Sequence, residues 1–146
     1  MRIINTGGTF NKRYDPIRGE LFVPKDDLAI KTILSSLATD ISLEGIIYKD
    51  SLEMDVDDRI ILGETIAVCE EDVFVVVHGT DTMDLSAEYV AGLGLDKTVV
   101  FTGAMVPFHI DPIEATANLA MAIGYARNVS AGVYIAIQGV MGSFKE

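Results

Sequence analysis

Short apolar runs of four or five residues alternate along this chain with longer stretches of helical period. The runs at 2–5, 46–49, 73–77, 98–101 and 133–137 predict strands. Several are continuous Val/Ile runs, the pattern of strands buried on both faces of a parallel sheet. Helical spacing predicts helices over roughly 25–37, 57–70, 84–92 and 112–127. The last opens on "DPIEAT", with Asp111 as N-cap, Pro112 at the first helical position and Glu114 in the first turn. Strand and helix alternating through short links predict an α/β fold: a doubly wound, mostly parallel sheet with helices on both faces. No repeat, low-complexity tract or Pro/Ser-rich linker interrupts the pattern, so residues 1–146 read as one domain. The stretch 10–24 has no period, yet it carries Arg13, Tyr14, Asp15 and Arg18. A loop of that length reads as functional or mobile.

The exit of each predicted strand is unusually polar. These exits read "TGGT" (6–9), "DSLEMD" (50–55), "HGTDT" (78–82), "TGAMVP" (102–107) and "QGVMG" (138–142). In open α/β sheets, ligands bind outside the carboxyl ends of the strands, so the five segments together describe one glycine-lined crevice. Glycine permits positive φ and close backbone approach, which lets amide N–H groups face an anion or a developing oxyanion. "TGGTF" has neither the dinucleotide spacing nor the P-loop ending, which disfavours nucleotides. The G-x-S-x-G elbow of serine hydrolases is absent. Taken singly, Asp81 and Thr82 also fit helix caps, His78 a structural histidine and His109 a loop residue. The two histidines have no Cys or carboxylate at ligand spacing, so no metal and no cofactor are expected.

Composition narrows the class. At 146 residues the chain can bury a substantial core, and 49% hydrophobic with 23% charged residues is ordinary for a folded protein. A formal net charge of −11 argues against nucleic acid as a partner. No apolar stretch approaches the ~20 residues that span a bilayer. The apolar start is too short for a signal-peptide core, and the single cysteine, Cys69, cannot form an internal disulfide. A cytoplasmic location is therefore expected, with Cys69 as a buried thiol on a helix.

"NTGGTF" after the first strand, "VHGTDTMD" after the third and "TGAMVP" after the fourth resemble the L-asparaginase/glutaminase family of the bacterial type with a threonine nucleophile. The resemblance runs from Arg2 to about Ile137 and is to that family's N-terminal domain. It implies Thr9 as the nucleophile, with Thr6 finishing the strand. It implies Tyr14 as the assisting tyrosine of a loop, and Thr80 and Asp81 as the second catalytic pair. Ser51, which would bind the substrate α-carboxylate, and Gly79 are the implied substrate-binding positions. The implied activity is hydrolysis of L-asparagine to L-aspartate and ammonia through a threonyl acyl-enzyme, in a homo-oligomer (dimer or tetramer). Glutamine, another amide, or a non-catalytic amino-acid-binding module are the alternatives.

This chain departs from the pattern in four places. Ser51-Leu52 replaces the usual serine-glutamine pair, and Val106 replaces an arginine in "TGAMVP". Residues 1–146 do not include the family's C-terminal domain, so the expectation is either a short, single-domain branch of the family or a chain cut short at its C-terminus. The lysine expected after the last strand is either Lys145 or lies beyond Glu146.

Overall fold

The computed structural model describes residues 1–145. In chain order the elements are β1 (Arg2–Gly7), β2 (Arg13–Asp15), β3 (Glu20–Phe22), α1 (Leu28–Leu34), β4 (Ser42–Lys49), α2 (Val56–Val68), β5 (Val73–Val77), α3 (Met83–Gly92), β6 (Thr98–Thr102), α4 (Pro112–Ala126), β7 (Gly132–Ile137) and β8 (Val140–Ser143). Six strands form one sheet in the order β4-β1-β5-β6-β7-β8. The first five run parallel and β8 is antiparallel to β7. This is the mostly parallel α/β sheet that the alternation of runs predicts.

Its two faces are legible residue by residue, because successive strand side chains point to opposite sides. Ile3, Val75, Val77 and Val100 pack with Ala29, Ile30 and Ile33 of α1 and with Ala115, Leu119, Ala122 and Ile123 of α4. Their neighbours Ile4, Phe74, Val76, Val99 and Phe101 pack on the other face with Leu62 and Ile66 of α2 and Met83, Ala87 and Val90 of α3. With both faces covered, the central strands can be apolar throughout, and Val75, Val76 and Val77 are fully buried.

Helix starts obey local chemistry. Before α2, Asp55 accepts from the Asp58 N–H at 3.0 Å while Asp58 accepts from the Asp55 N–H at 3.0 Å, a reciprocal capping box. Before α4, the Asp111 carboxylate accepts from the Ile113 N–H at 3.1 Å, with Pro112 opening the helix.

Four expectations need correction. The first helix is shorter than 25–37: Ser35 and Ser36 turn their hydroxyls back onto the carbonyls of Thr32 and Ile33, competing with the helical ladder. The fourth strand begins at Ser42, since its first half is a half-exposed sheet edge without an apolar run. The stretch 10–24 is not irregular. After a 3-10 turn over Thr9–Asn11, β2 and β3 pair as an antiparallel hairpin. The Asp15 carboxylate takes the N–H groups of Ile17 and Arg18, and Gly19 turns the chain with φ +68°. Finally, Cys69 is half-buried in extended backbone just past α2, where Lys97 Nζ binds the carbonyls of Ile66 and Cys69 and ends the helix.

The order of the strands positions the site. From β1 the chain moves to β4 on one side, then crosses to β5 on the other. The strand order therefore reverses at β1, the place where an open α/β sheet binds ligands beyond the carboxyl ends of its strands.

Candidate active site

The turn after β1 is braced from below. Asn5 Oδ1 accepts from the Gly7 N–H at 2.9 Å, and the Asn5 amide donates to Asp27, which also receives the Tyr48 hydroxyl. The buried Thr6 hydroxyl donates to the Val77 carbonyl at 2.7 Å, joining the exits of β1 and β5. Gly8 then adopts φ +79° and ψ −166°, a conformation open essentially to glycine alone, and its N–H donates to the Lys49 carbonyl at 2.8 Å.

Close backbone packing brings three exits together. A Cβ on Gly8 would stand 2.5 Å from the Gly79 nitrogen, and one on Gly79 would stand 2.6 Å from Ser51 Cβ. Gly8, Gly79 and Ser51 thus form a stack in which "TGGT", "HGTDT" and the turn after β4 touch. Two polar ties hold the turn after β4. The Thr82 hydroxyl donates to the Ser51 carbonyl at 2.9 Å, and Lys12 Nζ pairs with Asp50 at 2.7 Å. The Lys12 hydrogen bond is the main reason the Asp50 carboxyl titrates below its usual range.

Thr9, Ser51, Gly79, Thr80 and Asp81 belong to the turns that meet at this stack, whereas no hydrogen bond among the described residues ties Tyr14 or Lys145 to it. Thr9 opens the 3-10 turn immediately after Gly8 and is half-buried. Ser51 is 1% exposed, and among the described residues its hydroxyl has no hydrogen-bond partner. Gly79 is buried and Thr80 is half-buried, with the Thr80 hydroxyl 3.6 Å from Met105 Sδ. Asp81 is exposed. Tyr14 lies on β2 with 58% exposure, its hydroxyl beside Gly19 at the hairpin turn, and among the described residues no hydrogen bond joins it to Thr9. Lys145 is exposed past β8 with Nζ over the Phe144 ring, and no hydrogen bond among the described residues ties it to Thr80 or Asp81.

His78 is a buried structural histidine. Its Nδ1 lies 2.7 Å from the Gly79 carbonyl, which can only accept, so Nδ1 carries the proton. Nε2 of the neutral ring then accepts from the Ser86 hydroxyl at 2.7 Å. Burial pushes its pKa below the usual value, which keeps the ring neutral. His109 sits in the loop after β6, 3.2 Å from Asn11 Oδ1. No group of three His, Cys, Asp or Glu side chains is disposed to hold a metal among the described residues.

A cleft of about 320 Å³ opens beside Thr80, lined by Met83, Asp84, Met105, Ile135, Ile137 and Gln138. Its far lip is the two-residue turn Gln138-Gly139 between β7 and β8, where both residues have positive φ (+51° and +80°), as a tight hairpin of this twist requires. The sequence places "QGVMG" among the exits that form the crevice without giving Gln138 a role of its own, and it marks Glu114 only as part of a helix start.

The family model for the asparaginase N-terminal domain matches residues 1–143. The chain belongs to the asparaginase family. It is 27% identical over 139 residues to L-asparaginase of Thermococcus kodakarensis, covering 92% of this chain and 42% of that one. It is 37% identical over 90 residues to the human 60 kDa lysophospholipase, covering 59% of this chain and 15% of that protein. The solved thermostable L-asparaginase of T. kodakarensis superposes with a TM-score of 0.84 at 24% identity, over 98% of this chain and 45% of that one. The probable cytoplasmic L-asparaginase of Campylobacter jejuni gives 0.80 at 30% identity, over 99% and 46%. This asparaginase-family chain spans less than half the length of these relatives. Within it, the glycine stack falls in the region matched to the asparaginase N-terminal domain. No helix among the described residues is long and apolar enough to cross a membrane.

Proposed function

We propose that the chain hydrolyses the side-chain amide of L-asparagine through a Thr9 acyl-enzyme. The observation that carries this reading is the Gly8-Gly79-Ser51 stack. It brings the backbones of the Thr9 turn and the Thr80-Asp81 turn against Ser51, whose buried hydroxyl has no hydrogen-bond partner among the described residues. Ser51 Oγ would take the substrate α-carboxylate, and the carboxylate of Asp81 would face its ammonium. Thr9 Oγ1 attacks the amide carbon, its proton passing to the leaving nitrogen, and ammonia departs. Water then cleaves the acyl bond to give aspartate. Threonine is a weak nucleophile and needs a positioned partner. Tyr14, carried on the β2–β3 hairpin, would fill that role once its hydroxyl is brought to Thr9, and Thr80 would assist. Backbone N–H donors at the glycine turns would stabilise the oxyanion, typically by about 3 kcal/mol per donor.

Steady-state ammonia release from asparagine and glutamine, beside fatty-acid release from a lysophospholipid, tests the reaction class. Preference for asparagine supports the reading; release only from the ester overturns it.

Non-catalytic amino-acid binding is the second reading. It is favoured by the lack of a hydrogen-bonded base on Thr9 Oγ1 among the described residues. An asparagine complex without turnover would select it.

Ser51→Ala separates binding from stability. Removing a buried hydroxyl that has no partner among the described residues is expected to leave stability unchanged or raise it by up to about 1 kcal/mol. The KM for asparagine should rise by roughly 10- to 100-fold, because a hydrogen bond to a charged group contributes about 1.5–3 kcal/mol. Thermal melts and saturation curves read the two effects independently.

A further inference from the structure

Beyond the threonines and Ser51, one carboxylate gathers more hydrogen bonds than a helix start needs. Glu114, in the first turn of α4, accepts from the backbone N–H of Met105 at 3.0 and 3.1 Å and of Val106 at 2.9 Å. It also accepts from the Asn118 amide at 3.2 Å and from Gln138 Nε2 at 3.0 Å. Asn118 closes the circuit: its amide donates to the Gly103 carbonyl at 2.9 Å and its oxygen accepts the Gln138 N–H at 2.8 Å. One network therefore ties the exits of β6 and β7 to α4.

Three features give this network a direction. Met105, whose N–H the carboxylate holds, places its sulfur against the Thr80 hydroxyl. Met105, Thr80 and Gln138 line the same cleft. Gln138 is the one non-glycine residue with positive φ among the described residues, and left-handed backbone at such a residue persists where the surroundings enforce it.

We infer that Glu114 is a positioning residue: through Met105 and Gln138 it fixes the two lips of the cleft and thereby the orientation of the Thr80 hydroxyl. The inference rests on the role proposed for Thr80. Burial pushes the Glu114 carboxyl up, but the N–H groups of Met105, Gln138, Val106 and Asn118 outweigh it and hold its pKa below the usual value. The ionised form that accepts all of these bonds is thus the one present at neutral pH.

Glu114→Gln tests the assignment. The amide keeps the shape but turns one acceptor into a donor facing N–H groups. The first measurement is the methyl NMR spectrum of Thr80 Cγ2 and Met105 Cε in the unliganded protein, with the Ile33 methyls of α1, which belong to neither lip of the cleft, as reference. Both signals should shift while Ile33 stays in place; unchanged Thr80 and Met105 methyls would overturn the inference. The second is kinetic. kcat for asparagine should fall about tenfold with KM within about twofold, the mark of an interaction that matters in the transition state. A larger KM with kcat unchanged would overturn it.

If wild type releases no ammonia, the reading of function fails, and the methyl shifts still decide the role of Glu114. If Glu114→Gln does not fold, Gln138→Gly replaces it. That variant relaxes the left-handed backbone and deletes one donor, and it should move the same two methyls by less; no movement overturns the inference.

Discussion

Thr9→Ala is expected to lower ammonia release from asparagine by roughly 10⁴-fold, the scale on which removing a nucleophile leaves only binding and oxyanion stabilisation. Stability should change by less than about 1 kcal/mol. The Thr9 side chain is half-buried at the start of a 3-10 turn, and other residues hold that turn in place. Asn11 donates to the Asp26 carbonyl and accepts from the Ala29 N–H, and the Thr9 carbonyl takes the Lys12 N–H. Thr9→Ser, which keeps the hydroxyl, should retain much of the activity. Rapid quench with mass spectrometry adds a direct check, since wild type should carry the added mass of an aspartyl acyl group and Thr9→Ala should not. Undiminished turnover in Thr9→Ala would remove the nucleophile assignment and with it the acyl-enzyme.

Gly8→Ala is expected to be strongly damaging for so small a substitution, costing about 3 kcal/mol or more. Two penalties add. At φ +79° and ψ −166° a non-glycine residue is strained by about 1–3 kcal/mol. The new methyl would also stand 2.5 Å from the Gly79 nitrogen and 2.6 Å from its Cα, and neither backbone atom can swing aside as a side-chain tip would. Forcing atoms into a filled space typically costs a further 1–3 kcal/mol. For a chain of this size the melting temperature should drop by roughly 10 °C. Gly94→Ala is the control: it shares a positive φ of +62°, but nothing lies within 4 Å of the new methyl. It should lose only the backbone part. Equal losses at both positions would show that the contact with Gly79 contributes nothing.

The five parallel strands and four helices are legible in the sequence because each buries a face, and burial imposes a period. The elements that escaped notice lack that imprint. All three residues of β3 are exposed, so no alternation marks the hairpin, although "DPIRG" supplies its turn. β8 is a short edge strand of mixed exposure, and the residue that starts its turn, Gln138, belongs to no residue class associated with left-handed backbone. The strand exits of the candidate site were legible because glycine and threonine recur among them. Their gathering into one crevice followed from the parallel sheet, but the direct Gly8-Gly79-Ser51 contact did not, since it joins residues far apart along the chain. Glu114 was hidden for another reason: an acid in the first turn of a helix already has a sufficient local explanation, so nothing in its sequence context points to Met105 or Gln138.

The glycine stack also sets where this protein can change. Gly8 and Gly79 offer no side chain to exchange, and a Cβ at either would meet a neighbour at 2.5–2.6 Å, so substitution there costs stability before it can alter chemistry. Novelty in substrate choice is confined to the rim, where Leu52 is 73% exposed and Met105 60% exposed, and where Gln138 borders the cleft. A library restricted to those three positions would sample altered preferences while leaving the hub intact. One spread evenly over all the strand exits would include Gly8 and Gly79, where each new side chain costs stability.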